Sequence, residues 1–107
     1  MVKVTYDRVL HRLTAVGHAG KGKQGHDLVC AAVSALVMTL AGNVASLATQ
    51  DGLRRQELKL AEGDACISCL PYPRMRAVTT LIFDTVCSGF ELLETLYPEN
   101  IKFTVIA

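Results

Sequence analysis

Hydrophobic and polar positions change period several times along the 107-residue chain. Val2, Val4 and Tyr6 alternate with Lys3, Thr5 and Asp7 over residues 2–8. Near-alternation resumes over residues 11–19, with Leu13, Ala15 and Gly17 opposed to Thr14, Val16 and His18, which predicts two strands joined by a short turn. Gly20, Gly22 and Gly25, with Lys21 and Lys23 between them, then predict a loop with no face to bury. Asp27 suits the N-cap of a long apolar helix that Gly42-Asn43 would kink and that should stop near Gly52. Residues 55–61 and 65–70 read as a hairpin turning at Glu62-Gly63-Asp64, closed by Pro71-Tyr72-Pro73. Over residues 76–97, Val78, Leu81, Ile82, Val86, Phe90, Leu93 and Leu96 recur at mostly helical spacing, with Gly89 as a weak point and Pro98 as the stop. Residues 100–107 alternate again. The order ββαββαβ predicts an α+β fold in one domain, residues 1–107, with two helices packed on a mainly antiparallel sheet.

The uncharged run over residues 28–50 is long enough to cross a bilayer. Ser34, Thr39, Gly42, Asn43, Ser46, Thr49 and Gln50 dilute its apolarity and no aromatic residue flanks it, so the expected setting is a core rather than a membrane. A helix this apolar is expected to be buried on several sides, by the sheet and by a partner subunit. Lysine and arginine total 11 against 10 acids, a net charge of +1, so no basic excess points to direct nucleic-acid binding. The N-terminus lacks the charged start, apolar stretch and cleavage site of a secretory signal, which leads to a cytoplasmic expectation. In that compartment Cys30, Cys66, Cys69 and Cys87 are reduced, and each thiol needs its own explanation.

The glycine loop matches two nucleotide motifs in spacing alone. Gly20 to Gly25 has the GxGxxG pattern, but two strands precede it where a parallel βαβ unit is required. Gly17 to Lys23 has the GxxxxGK pattern, but Gln24 stands where a hydroxyl would hold magnesium. Cys66-Ile67-Ser68-Cys69 has metal-site spacing without a second ligand pair, and on a strand the two thiols face opposite ways, so no metal is expected. Cys87 suits an inert thiol packed beside Val86 and Phe90.

Cys30 differs. With Asp27 as cap it would be the third helical residue, where open backbone N–H groups and the helix dipole stabilise a thiolate. A thiolate nucleophile needs a proton acceptor, and His18 ends the strand that feeds the loop returning to this helix. His26 competes from four residues before Cys30 but is expected outside the cap, in solvent. Asp27 and Ser34 lie three and four residues from Cys30 and share its helical stripe; a plain cap and a small packing residue explain them equally well.

The segment Gly17-His18-Ala19, a glycine-containing loop, and then Asp27-Leu28-Val29-Cys30-Ala31-Ala32-Val33-Ser34-Ala35-Leu36 resembles the signature of the bacterial ribosomal-processing cysteine proteases, the Prp family. The resemblance extends over the whole chain, including the later hairpin, the helix ending in Leu96-Tyr97-Pro98 and the closing strand. It implies that Cys30 is the nucleophile and His18 the base, with Asp27 and Ser34 supporting. It further implies a homodimer without cofactor, acting on a large-subunit ribosomal protein precursor with a short N-terminal extension, with an apolar or aromatic cleavage preference. The chain departs from the family in its Gly20 to Gly25 loop, expected to cover the substrate, and in having His26 beside Asp27.

The mechanism that follows is acyl transfer from peptide to Cys30 and then to water. The rival reading is a non-catalytic ribosome-associated or protein-binding dimeric module in which Cys30 merely packs. A third, nucleotide binding by the loop, would require protection by a phosphate ligand.

Overall fold

The computed structural model describes residues 1–17 and 26–106, and of His26 and Asp27 the backbone only. Strand β1 (Val2–Asp7) turns Val2, Val4 and Tyr6 inward and pairs antiparallel with β2 (Arg12–Val16), as its alternation predicts. Between them the Asp7 carboxylate accepts the N–H groups of Val9 and Leu10, both at 3.1 Å, and His11 takes a left-handed φ of 49°. That φ stops β2 from beginning at residue 11. β2 ends at Val16 rather than continuing to residue 19, because Gly17 breaks from the extended strand with a φ of 104°.

Helix α1 (His26–Thr49) is followed by β3 (Leu53–Ala61) and β4 (Asp64–Pro71), joined at Glu62-Gly63. A short 3₁₀ turn, Pro73–Met75, leads into α2 (Arg76–Leu96), and β5 (Ile101–Ile106) ends the described chain. The strands lie in the order β3-β4-β2-β1-β5, antiparallel except for the parallel β1–β5 pair. The α+β fold with two helices on a mainly antiparallel sheet is therefore the one expected.

One face of the sheet carries the core. Tyr6, Leu13, Ile67 and Ile101 meet Val29, Leu40 and Val44 of α1 and Phe83 and Phe90 of α2, all essentially without solvent contact. Tyr6 stacks on Phe83 at 5.3 Å and Phe90 on Phe103 at 5.9 Å. Each fully buried side chain of this size contributes about 1.5–3 kcal/mol of transfer free energy. Gly89 marks a close approach of the two helices: a Cβ there would lie 2.7 Å from a Leu36 methyl. The glycine that weakens α2 intrinsically thus lets α1 pack against it.

One expectation about α1 is corrected. The helix begins at His26, so Asp27 lies within its first turn rather than capping it, and Cys30 is the fifth helical residue rather than the third. Within the single chain the helix is buried along one side only, by the sheet and α2. Its window Leu28–Thr49, long and apolar enough to span a membrane, is 33% buried. Val29, Val33, Val37, Leu40, Ala41, Val44 and Leu47 face the core, whereas Ala31, Ser34, Ala35, Met38, Thr39, Gly42, Asn43 and Ser46 form an exposed stripe without a charge.

Candidate active site

At one end of the sheet, α1 and the β3–β4 hairpin enclose a cleft of about 390 Å³. Cys30, Val33, Ser34, Val37 and Met38 form the helix wall, the spacing that puts residues three and four apart on one face. Residues 60–65 form the opposite wall, and Val2, Ala15 and Gly17 the floor. Cys30 is half-buried beside an apolar bed of Val33, Val37, Val2 and Ala15, with the carboxylates of Glu62 and Asp64 at the rim. Lys59 holds the Asp64 carboxylate at 2.7 Å in an exposed pair. This arrangement suits an extended peptide: a thiol to attack a carbonyl, and an apolar recess for a neighbouring side chain.

Gly17 anchors the floor to the hairpin. Its N–H donates to the Gly63 carbonyl at 2.9 Å, and a Cβ at Gly17 would stand 2.5 Å from the Met1 carbonyl oxygen. Glycine is required there both by the φ of 104° and by the space. His18 follows it directly in sequence, but His18, the loop glycines Gly20, Gly22 and Gly25, and the side chains of His26 and Asp27 lie outside the described residues. Of the expected site, the structure brings Cys30 and Ser34 to one cleft. As the fifth helical residue Cys30 sits past the four N–H groups that a helix leaves open, and the field of the helix end fades within that first turn. The helix-end argument for its reactivity is correspondingly weaker, and more falls to a neighbouring base.

The other thiols are placed for inertness. Burial pushes Cys69 up to about 11 and, with the nearby Asp84 and Glu91 carboxylates, Cys87 up to about 12. Cys66 lies on the outer face of β4, its thiol donating to Glu57, and burial followed by that contact raises its pKa. Cys66 and Cys69 thus point to opposite sides of the sheet, and among the described residues no group of three or more potential ligands could hold a metal ion.

The hairpin wall was not foreseen as part of the site; Glu62-Gly63-Asp64 reads in sequence only as a turn. What brings it to Cys30 is the pairing of β4 with β2, Val16 opposite Asp64, and no local pattern announces that neighbour.

The family model described as Cysteine protease Prp matches residues 1–102. The ribosomal processing cysteine protease Prp of Mycoplasma pneumoniae is 32% identical over 105 residues, covering 96% of this chain and 93% of that protein. Among solved structures, the S. aureus ribosomal processing protease Prp with a covalently linked product peptide aligns with a TM-score of 0.72 at 25% identity, over 99% of this chain and 100% of that one. The protein SMU.848 of Streptococcus mutans aligns with a TM-score of 0.67 at 25% identity, over 98% of this chain and 91% of that one. The same S. aureus protease with a substrate peptide, at 24% identity and a TM-score of 0.69 over 98% of this chain and 97% of that one, shares the fold. The chain belongs to the Prp family of cysteine proteases and is therefore a peptidase, a hydrolase.

Proposed function

We propose that this chain is a cytoplasmic endopeptidase that removes a short N-terminal extension from a large-subunit ribosomal protein, with Cys30 as nucleophile and His18 as general base. The observation that carries the choice of nucleophile is that Cys30, alone among the four cysteines, lines the cleft. His18 takes the Cys30 proton, the thiolate adds to the scissile carbonyl, and the departing amine receives that proton as the thioester forms. Water then hydrolyses the thioester, giving its proton to His18 and restoring the thiol. Ser34, one turn beyond Cys30 on the same wall, and Asp27, one turn before it in sequence, are assigned supporting roles. The names of the Mycoplasma pneumoniae and S. aureus relatives support the ribosomal substrate. Four thiols suit a reducing compartment.

The test is incubation with the unprocessed ribosomal protein, products weighed by mass spectrometry. Cys30→Ala and His18→Ala should abolish the mass loss while Cys66→Ser, Cys69→Ser and Cys87→Ser retain it. Cleavage by Cys30→Ala would overturn the assignment of the nucleophile.

The uncharged stripe of α1 supports a homodimer, a second copy covering Ala35, Met38 and Thr39. Sedimentation should give twice the monomer mass, and Met38→Glu should return the monomer. A wild-type monomer at micromolar concentration would refute the dimer.

A further inference from the structure

The near-neutral charge balance conceals an uneven distribution. All six arginines, Arg8, Arg12, Arg54, Arg55, Arg74 and Arg76, are exposed and collect at the end of the sheet remote from Cys30. The pairings place them there: Arg12 opposite Asp7 and Ser68, Arg55 opposite Leu70, and Arg8, Arg74 and Arg76 on the segments that leave β1 and β4 at that end. Along β4 the distance from Asp64, at the cleft, to Leu70 is about 20 Å at roughly 3.4 Å per residue, so this pole is separate from the cleft.

The acids at the pole do not balance it. Of the six arginines only Arg8 lies within ion-pair distance of a carboxylate among the described residues, Asp84 at 2.7 Å. Asp7 accepts two backbone N–H groups and Glu57 the Cys66 thiol, neutral donors that do not cancel a carboxylate's charge, so with Asp51 and Asp84 four acids stand against the six arginines. Asp51 meets Arg74 through its carbonyl oxygen, at 2.7 Å, not its carboxylate. Arg74 and Arg76 flank the start of α2, whose first turn has no acid, so the partial positive charge of the helix end adds to theirs. Arg54 and Arg74 stack over the ring of Tyr72 at 5.4 and 5.6 Å, which spreads their planes across the surface. Arg12 and Arg55 line a separate groove of about 330 Å³ together with Glu57 and Ser68.

We propose that this arginine pole binds the phosphate backbone of RNA. Among the described residues five of these cations form no ion pair, and their mutual repulsion costs the fold, an arrangement explained by an anion supplied from outside. They are spread over two faces instead of converging on one pocket, which matches a continuous chain of phosphates better than a single carboxylate. All are arginine, whose planar fork takes two phosphate oxygens at once. The inference concerns binding alone and stands apart from the role of Cys30.

The test uses the full chain and a fluorescent single-stranded RNA of about 20 nucleotides at roughly 50 mM salt, where non-specific affinities of this kind reach the micromolar range. The triple variant Arg54→Gln/Arg55→Gln/Arg74→Gln should weaken binding about tenfold or more and lower the salt slope by about 2. Lys3→Gln/Lys59→Gln/Lys102→Gln, with the same change in net charge, should weaken it less than about twofold. Peptide cleavage should be unchanged in the arginine triple, which reports that it is folded; should it not fold, Arg12→Gln/Arg76→Gln serves in its place. No binding by the wild type at about 100 µM would overturn the proposal. So would equal loss in the lysine triple, or tighter binding of polyglutamate than of RNA, which would assign the pole to an acidic protein.

Discussion

Replacing glycine by alanine at positions 17 and 42 should move stability in opposite directions. Gly17 has a φ of 104°, a region that costs a residue with a Cβ about 1–3 kcal/mol. The added carbon would also lie 2.5 Å from the Met1 carbonyl oxygen, a backbone atom that cannot rotate away. Relief requires moving the start of β1, whose Val2 N–H is tied to the Asn100 carbonyl at 2.9 Å, and overpacking of this kind costs about 1–3 kcal/mol. Gly17→Ala should therefore lose about 2–6 kcal/mol, a large part of the 5–15 typical of a domain, with a fall in Tm of at least about 10 °C. A Cβ at Gly42 meets nothing within 4 Å, on the exposed face of a regular helix. Gly42→Ala should gain up to about 1 kcal/mol. Urea denaturation of both variants reads both signs in one assay. Since Gly17 ties the cleft floor to Gly63 and precedes His18, Gly17→Ala should also lose cleavage below its own Tm. A Gly17→Ala protein within 1 kcal/mol of wild type would refute the reasoning, as would a Gly42→Ala protein of clearly lower stability.

Three further outcomes follow from buried groups. Tyr6 is 1% exposed and its hydroxyl has no hydrogen-bond partner among the described residues, so Tyr6→Phe should be more stable by about 1 kcal/mol in chemical denaturation. His11 is buried with its Nε2 at 2.8 Å from Thr80 Oγ1, and burial, then repulsion from Arg76, lowers its pKa against a smaller opposing pull from Asp84. The unfolded chain is therefore protonated first: this contribution is complete above about pH 6.5 and is lost as pH falls toward the lower folded value. His11→Asn, which tolerates the left-handed φ, should flatten the profile there, and an unchanged slope would reject His11 as its source. Cys69 and Cys87, buried and pushed up to about 11 and 12, should resist alkylation at pH 8 until the protein is unfolded.

Local patterns carried much of this structure. The alternation of Val2, Val4 and Tyr6 and the spacing of Val86 and Phe90 each report one face of one element, and the inward placement of these residues follows directly. Conformations and neighbours that depend on distant segments were not legible. Nothing near Gly17 indicates that it faces the Met1 carbonyl, and nothing in Glu62-Gly63-Asp64 indicates that this turn walls the cleft. The same holds for charge. Arg8, Arg12, Arg54, Arg55, Arg74 and Arg76 are scattered pairs in sequence, and only the strand order brings them to one pole. The Cys30 candidacy rested on a helix register that the structure shifts by two positions, while its place in a cleft came from packing.

The parallel pairing of β5 with β1 bears on when this protease comes into being during its own synthesis. Val2 belongs to the floor of the cleft and is held by Asn100, so the first strand finds its outer neighbour only after almost every described residue has left the ribosome. Closing so long a stretch of chain is entropically slow and cannot be anticipated by local contacts. A nascent chain with α1 already made but β5 still unmade therefore has Val2, part of the floor beside Cys30, on a strand whose outer edge is unpaired.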